Sequence, residues 1–193
     1  TPALDSFLQE TLGRISERHP DLSIHLHDLN PQSQVQKLEE GTLDVALIGG
    51  SCRELQSVVD LTPICHIPLC VVVGADHRFA ARKSLRLTEC RDEPFIGLRE
   101  DTFPGRKHLI QSLCTQAGFT PEFVATADSL NSLLALVRSG KGLSLVPRDI
   151  QNILPRGLRL VNIRSPICRI EFSAAVRRGE PRPLVLMFLE ECR

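Results

Sequence analysis

The sequence predicts an α/β fold built as two lobes, and three observations carry that reading. Apolar positions with a helical period alternate along the chain with short apolar or alternating runs of strand length. The 193 residues suit one large domain or two small lobes. One local unit also occurs twice. "LEEGTLDVALI" and "VRSGKGLSLVP" both run from a helix, through glycine, into a short apolar strand, about a hundred positions apart. General α/β grammar produces such repetition too; two lobes of similar design is the reading adopted. The expected core is a mostly parallel sheet covered by helices.

The elements follow in order. "TPALDSFLQETLGRISERHPD" reads as an amphipathic helix with Leu4, Phe7, Leu8, Leu12 and Ile15 on its apolar stripe. Thr1 suits the N-cap and Pro2 the first helical position, where a missing N–H costs nothing. "LSIHLHDL" alternates apolar and polar, as a strand with one buried face does. Asn30-Pro31 repeats the cap-then-proline signal for a helix through Val35 and Leu38 that stops at Gly41. "LDVALIGG" is a short apolar strand. "LTPICHIPLCVVVGADH" is extended, with Pro63 and Pro68 expected to break it into pieces. "DEPFIGL" is a strand, and "GRKHLIQSLCTQAGF" is a helix with Leu109, Leu113 and Ala117 on one face and Gly118 as its stop. "EFVATA" is a strand. Asp128 or Ser129 caps the helix "LNSLLALVRS", whose stripe is Leu130, Leu133, Leu134 and Val137. "LSLVP" is a strand, followed by a short helix near Arg148 to Leu154. The strands "LRLVNI" and "RIEFSAAVR" come next, and a last helix, "PLVLMFLEECR", packs Leu184, Phe188 and Leu189.

The Gly-Lys-Gly of "RSGKGLSLVP" raises the question of a phosphate cradle. Such loops place their glycines before a helix, where free N–H groups and the positive dipole end meet the anion. Here the glycines follow the helix, where carbonyls and the negative end repel phosphate. The pattern G-x-x-x-x-G-K-[ST] is also absent. Gly140 is therefore expected to close the helix in the left-handed conformation, with Lys141 near the negative end and Gly142 turning the chain into its strand.

Composition narrows the function. The chain is 42% hydrophobic and 24% charged, as in ordinary globular proteins. Lys+Arg and Asp+Glu number 23 each, which argues against this piece gripping a phosphate backbone by itself. With aromatics at 4% and neither Trp nor Tyr, a stacking platform for bases or sugars is not expected. The seven cysteines, Cys52, Cys65, Cys70, Cys90, Cys114, Cys168 and Cys192, are odd in number and form no C-x-x-C. They read as small buried hydrophobes in a reducing cytoplasm. No apolar run nears the roughly 20 residues that span a membrane, and no leader peptide is visible. A first residue of Thr in place of Met suggests a fragment of something longer.

An anion can sit where capped helices start. Thr1-Pro2, Asn30-Pro31 and Asp128-Ser129 each begin a helix that follows, or should follow, a parallel strand. In open α/β sheets such starts lie at the carboxyl edge, where ligands bind. Helix termination alone explains each cap, and the Asp128 carboxylate would compete with an anion. The suggestion lies in their expected convergence on a small carboxylate.

Six stretches, in order, resemble the effector-binding domain of LysR-type transcriptional regulators: "ISERHPDLSIHL", "LEEGTLDVALIG", "VVVGADHRFA", "EPFIGLRED", "CTQAGFTPEFVATADSL" and "LLALVRSGKGLSLVP". The likeness runs from about Arg14 to Pro147, and the last 46 residues fit in outline. The resemblance implies a type 2 periplasmic-binding-protein-like α/β fold, two lobes joined by two crossing segments. Lobe I is expected at 1–66 and 167–193, lobe II at 67–166. It implies a small-molecule effector bound between the lobes, most simply an organic acid. It implies a homodimer or homotetramer, and promoter DNA bound by an N-terminal winged helix-turn-helix domain absent from this chain. Family domains open with a strand ahead of the first helix, central in lobe I. This chain shows none, and a trimmed or unobserved start is expected.

Carried over singly, the family's effector contacts map as follows. The start of the first helix maps to Thr1. The start of the second maps to Asn30, Pro31, Gln32 and Ser33, with Pro31 standing where a hydroxyl is usual. The strand end after "DVALI" maps to Gly49 and Gly50, without the arginine some relatives place there. The strand end in lobe II maps to Leu98 and Arg99, and the helix cap beyond it to Ser129 and Asn131. Arg99 can supply a bidentate carboxylate grip. It can equally be solvated, or paired beside Glu100 and Asp101.

Rival chemistry is thinly supported. No G-x-S-x-G, S-x-x-K or H-E-x-x-H occurs, so no catalytic residue, cofactor or metal is expected. His25 and His27 share a strand face beside Asp28, which suits a metal less well than a half-exposed surface. His66 is placed near the first crossing and His77 in a structural turn. A redox switch at Cys65 and Cys70 lacks a basic neighbourhood beyond His66. A transport receptor of the same fold is the alternative function, disfavoured by the unpaired cysteines.

Overall fold

The computed structural model describes residues 4–50, 58–179 and 182–192. In chain order the first elements are α1 (Asp5–Arg18), α2 (Pro31–Glu39), β1 (Ala46–Gly49) and β2 (Val59–Gly74). Then come β3 (Ser84–Arg86), β4 (Pro94–Leu98), α3 (Arg106–Gln116), β5 (Glu122–Ala127) and α4 (Leu130–Arg138). The last are β6 (Ser144–Pro147), β7 (Leu158–Ser165), β8 (Arg169–Arg177) and α5 (Pro183–Glu191). Two short 3-10 helices, Leu87–Cys90 and Arg148–Ile153, lie between them. The chain divides into two units: Thr1–Cys65 with Glu171–Arg193, and His66–Ile170. It passes from one unit to the other inside β2 and again inside β8.

In the first unit, β1 pairs antiparallel with β8, Ala46 opposite Ala175 and Gly49 opposite Phe172. α2 lays Val35 and Leu38 on Ala46, Ile48, Val59 and Ala175 to form a small apolar core. Asn30 caps α2 as the sequence predicts, accepting the Ser33 N–H at 2.9 Å, with Pro31 in the first turn. The helix closes at Gly41, whose positive φ lets Thr42 N–H reach the Lys37 carbonyl. α1 packs on α5, where Glu191 receives the Arg18 guanidinium at 2.5 Å and its carbonyl the Arg14 guanidinium at 2.6 Å.

The second unit holds the β-α-β core. β4 and β5 are parallel, joined through α3, with Pro94 opposite Glu122 and Leu98 opposite Ala127. β3 runs parallel to β7, while β6 and β7 both pair antiparallel with β2. Phe95 is fully buried between Phe119 and Phe123, at ring distances of 6.2 and 6.1 Å. α4 buries Leu133, Leu134 and Val137, with Leu130 half-buried. Gly140 closes α4: its N–H reaches the Val137 carbonyl at 3.0 Å, and Lys141 N–H that of Leu136 at 3.3 Å. Gly142 then brings the chain against β4. A Cβ there would collide with the Pro94 carbonyl oxygen, the atom that accepts the Leu143 N–H at 2.9 Å. The Gly-Lys-Gly is thus a helix stop and a close approach, as its position after the helix predicts.

Several expectations change. The pairing is not mostly parallel, because β2 and β8 take their partners antiparallel. β2 is one strand of sixteen residues, unbroken by proline. Pro63 and Pro68 are exposed and precede the ladders to β6 and β7, which begin at Leu69 and Cys70, so their missing N–H groups interrupt neither of those two. "LSIHLHDL" forms no strand. Residues 23–28 are exposed, and no described neighbour supplies backbone hydrogen bonds for them. An open cavity of about 650 Å³ lies beside this segment and residues 42–45, floored by Leu8, Leu12, Val185 and Phe188. The α3 stripe is shifted by one residue: Ile110 and Cys114 are buried, while Leu109, Leu113 and Ala117 are half-buried. Leu4, just ahead of α1, is buried, as are Thr11 and Ile15 within it, while Phe7, Leu8 and Leu12 are half-buried. α5 buries Val185 and exposes Leu184. The first-helix cap at Thr1 and Pro2 lies outside the described residues. β3 and its 3-10 neighbour had no periodicity to reveal them.

Truncating Phe95 removes the ring that Phe119 and Phe123 pack against. Phe95→Ala should cost about 3–5 kcal/mol of folding free energy, read as a lower urea midpoint.

Candidate functional site

The site is built in the second unit, at the carboxyl ends of β4 and β5. The parallel ladder closes with Leu98 opposite Ala127, and the Arg99 N–H extends it to the Ala127 carbonyl at 2.8 Å. The chain then turns. The Arg99 carbonyl accepts the Phe103 N–H at 2.9 Å and the Thr102 hydroxyl at 3.2 Å, so Arg99 is held on both sides of its Cα. β5 leads directly to Asp128 and Ser129, which start α4. Ser129, not Asp128, is the N-cap: its Oγ accepts the Ser132 N–H at 3.2 Å and donates to the Ser132 hydroxyl at 2.8 Å. Ser132 in turn donates to Asp128 at 3.0 Å. Asn131 is exposed on the first turn. The ladder thus gathers Leu98, Arg99, Ser129 and Asn131 at one edge.

The electrostatics centre on Arg99. Its Nε donates to Asp101 at 3.0 Å and one Nη donates to the other carboxylate oxygen, a two-bond fork. The pair is half-exposed on both sides. Hydrogen bonding and charge from Asp101, with Asp128 adding a smaller attraction, hold the Arg99 guanidinium above its ordinary pKa. The same fork holds the Asp101 carboxyl below the usual carboxylate range. Glu100 is spent locally, accepting the Gly105 N–H at the start of α3.

Several of the residues predicted in the first unit are engaged in holding the fold. Asn30 spends its side-chain oxygen on the cap, and Pro31 is buried against the core. Gln32 is exposed, and the Ser33 hydroxyl has no partner among the described residues. Gly49 lies under Phe172, where a Cβ would stand 2.5 Å from the ring. Gly50 donates its N–H to the Glu171 carbonyl at 2.8 Å. Thr1 lies outside the described residues. Sequence reasoning missed Gln34. Buried on the stripe with Val35 and Leu38, it donates to the Leu29 carbonyl at 2.8 Å and accepts the Leu47 N–H at 3.0 Å. A polar residue at a helix position that the 3.6 period buries was the available signal.

The histidines and cysteines are placed as follows. His25 meets Ser23 at 3.3 Å, and no group of three or more metal-ligating side chains occurs among the described residues. His77 accepts the Phe79 N–H at Nδ1, 3.2 Å, which leaves Nε2–H to donate to Glu93 at 3.2 Å. Cys70, Cys90, Cys114, Cys168 and Cys192 are buried, Cys65 is half-buried, and Cys52 lies outside the described residues. Burial pushes the Cys90 and Cys114 thiols up to about 12, and Cys168 and Cys192 to about 11. No helix among the described residues is long and apolar enough to cross a membrane.

Two α/β units joined by two passages of one chain define a class of ligand-binding domain, and comparison with known proteins places this chain within it. The model of the LysR substrate binding domain matches residues 1–193. The chain belongs to that family and is an effector-binding domain of the kind LysR-type transcriptional regulators carry. It is similar to the HTH-type transcriptional regulator AlsR of Bacillus subtilis, 21% identical over 183 residues, covering 95% of this chain and 60% of that protein. It is similar to BenM of Acinetobacter baylyi, 25% identical over 179 residues, covering 92% and 58%. The chain therefore spans a little over half the length of these curated relatives. Among solved structures, the effector-binding domain of QuiR in complex with shikimate matches with a TM-score of 0.80 and 19% identity, covering 96% of this chain and 88% of that one. CbnR matches with a TM-score of 0.83 and 20% identity, covering 96% and 64%. These likenesses show the type 2 periplasmic-binding-protein-like fold.

Two measurements test these assignments. In the native protein, iodoacetamide at about pH 8 should leave the peptides carrying Cys70, Cys90, Cys114, Cys168 and Cys192 unmodified, because burial shields all five and disfavours their thiolates; denaturant should expose all five. Asp101 should titrate below the ordinary ~3.9 by carboxyl-carbon NMR. Its pair with Arg99 is then intact above that range and lost only as pH falls through the depressed value, and Arg99→Ala should move the titration up toward the ordinary value.

Proposed function

We propose that this domain is the sensing part of a transcriptional regulator and binds a small organic acid through Arg99. The observation that carries the reading is the placement of Arg99 at the carboxyl edge of a parallel strand pair, beside the capped start of α4. Ligands of open α/β sheets bind at such edges. A guanidinium there offers planar two-point recognition of a carboxylate. The first-turn N–H groups of α4 add partial positive charge. In the first unit the exposed Gln32 and the Ser33 hydroxyl are the groups proposed for ligand contact, since Asn30, Pro31, Gly49 and Gly50 are engaged in the fold.

The rest follows from the family. The regulator acts by population shift: the effector favours one arrangement and moves the equilibrium by its differential affinity. A homodimer or homotetramer in the cytoplasm passes that shift to a DNA-binding domain outside this chain. The matched relatives are named as transcriptional regulators, and nothing in them supports the transport-receptor alternative.

A thermal-shift panel of aromatic and aliphatic carboxylates tests the reading. It should include benzoate and shikimate, which related domains bind in their solved structures. A ligand at a hundred times its Kd adds about 2.7 kcal/mol to stability. Arg99→Ala should weaken whichever acid raises the melting point by about tenfold or more in calorimetry. An unchanged affinity removes Arg99 from the site.

A further inference from the structure

The Arg99 fork is already filled. Both carboxylate oxygens of Asp101 receive N–H groups from it, Nε at 3.0 Å and one Nη on the other side. This is the two-point geometry that a ligand carboxylate needs. Asp101 sits two residues along, in a turn anchored by the Arg99 carbonyl through Phe103 and Thr102, so the carboxylate stays within reach of the guanidinium. Asp128 adds a second negative charge within electrostatic range. Glu100 takes no part, since it is bound to the start of α3.

We propose that Asp101 is an internal competitor: a tether that occupies the Arg99 fork and must be displaced before a carboxylate ligand can take it. The inference rests on the reading of Arg99 as the acid grip. Asp101 is a positioning residue, acting on the ligand through Arg99. Its effect is to raise the acid concentration at which the domain responds. It also selects for carboxylates that bring enough further contact to win the exchange. Because both partners are half-exposed, the exchange costs little beyond the pair itself, and the competition is modest in size.

The experiment titrates benzoate into the protein and into Asp101→Asn, Asp101→Glu, Arg99→Ala and the double variant Arg99→Ala/Asp101→Asn, by calorimetry and thermal shift. Asp101→Asn should bind benzoate about threefold tighter than the parent, as expected for loss of one exposed ion pair. Asp101→Glu keeps the carboxylate and should stay near the parent. The double variant should lose the gain. Benzamide, which lacks the charge, should bind Asp101→Asn and the parent alike. An Asp101→Asn protein no tighter for benzoate than the parent, including one that does not bind it, overturns the tether. If Arg99→Ala still weakens binding in that case, the acid grip stands and the tether alone has failed. A gain that persists in the double variant overturns the tether, because the competition would then not act through Arg99; an Arg99→Ala protein that binds benzoate as the parent does overturns the acid grip.

Discussion

The architecture of the candidate site depends on one rung of backbone hydrogen bonding, the Arg99 N–H to the Ala127 carbonyl. Parallel strands end together, so the residues that follow them must lie side by side. That rung brings the turn after β4 against the turn that starts α4. The guanidinium, the serine cap and the acidic residues of both turns are neighbours for that reason. The rung is in turn secured from below by Phe95, buried between two rings, and by Leu143, whose backbone exchanges hydrogen bonds with Pro94 and Ile96. Gly142 permits that exchange by having no side chain where β4 passes.

The first unit is organised by a different device. Gln34 stands on the buried face of α2 and satisfies one carbonyl before the helix and one N–H in β1. A buried amide that satisfies both ends fixes register, whereas one left half-satisfied would be destabilising. The segment 23–28 shows what happens without such a partner. Its alternation is that of a strand, yet a strand exists only where a neighbour supplies N–H and C=O groups, and none of the described residues does so.

The buried cysteines follow the sequence reading, whereas the proline-bearing β2 departs from it. A thiol pushed to about 12 behaves as a small hydrophobe. Two prolines inside this strand are exposed and lie ahead of its ladders to β6 and β7.

What the sequence determined by itself was the set of locally encoded features: the Asn30 cap, a cap at Asp128 or Ser129, the glycine stops at Gly41, Gly118 and Gly140, the extents of β5 and β8, and membership of a family read from six ordered stretches. These depend on residues within a turn or two of one another, where side-chain oxygens and left-handed backbone act directly. Tertiary structure decided the rest: the antiparallel partners of β2 and β8, the one-residue rotation of the α3 stripe, the roles of Gln34 and Gly142, and the Asp101 fork on Arg99. Each of these is settled by which distant backbone or side chain fills the space, and periodicity along the chain carries no information about that choice.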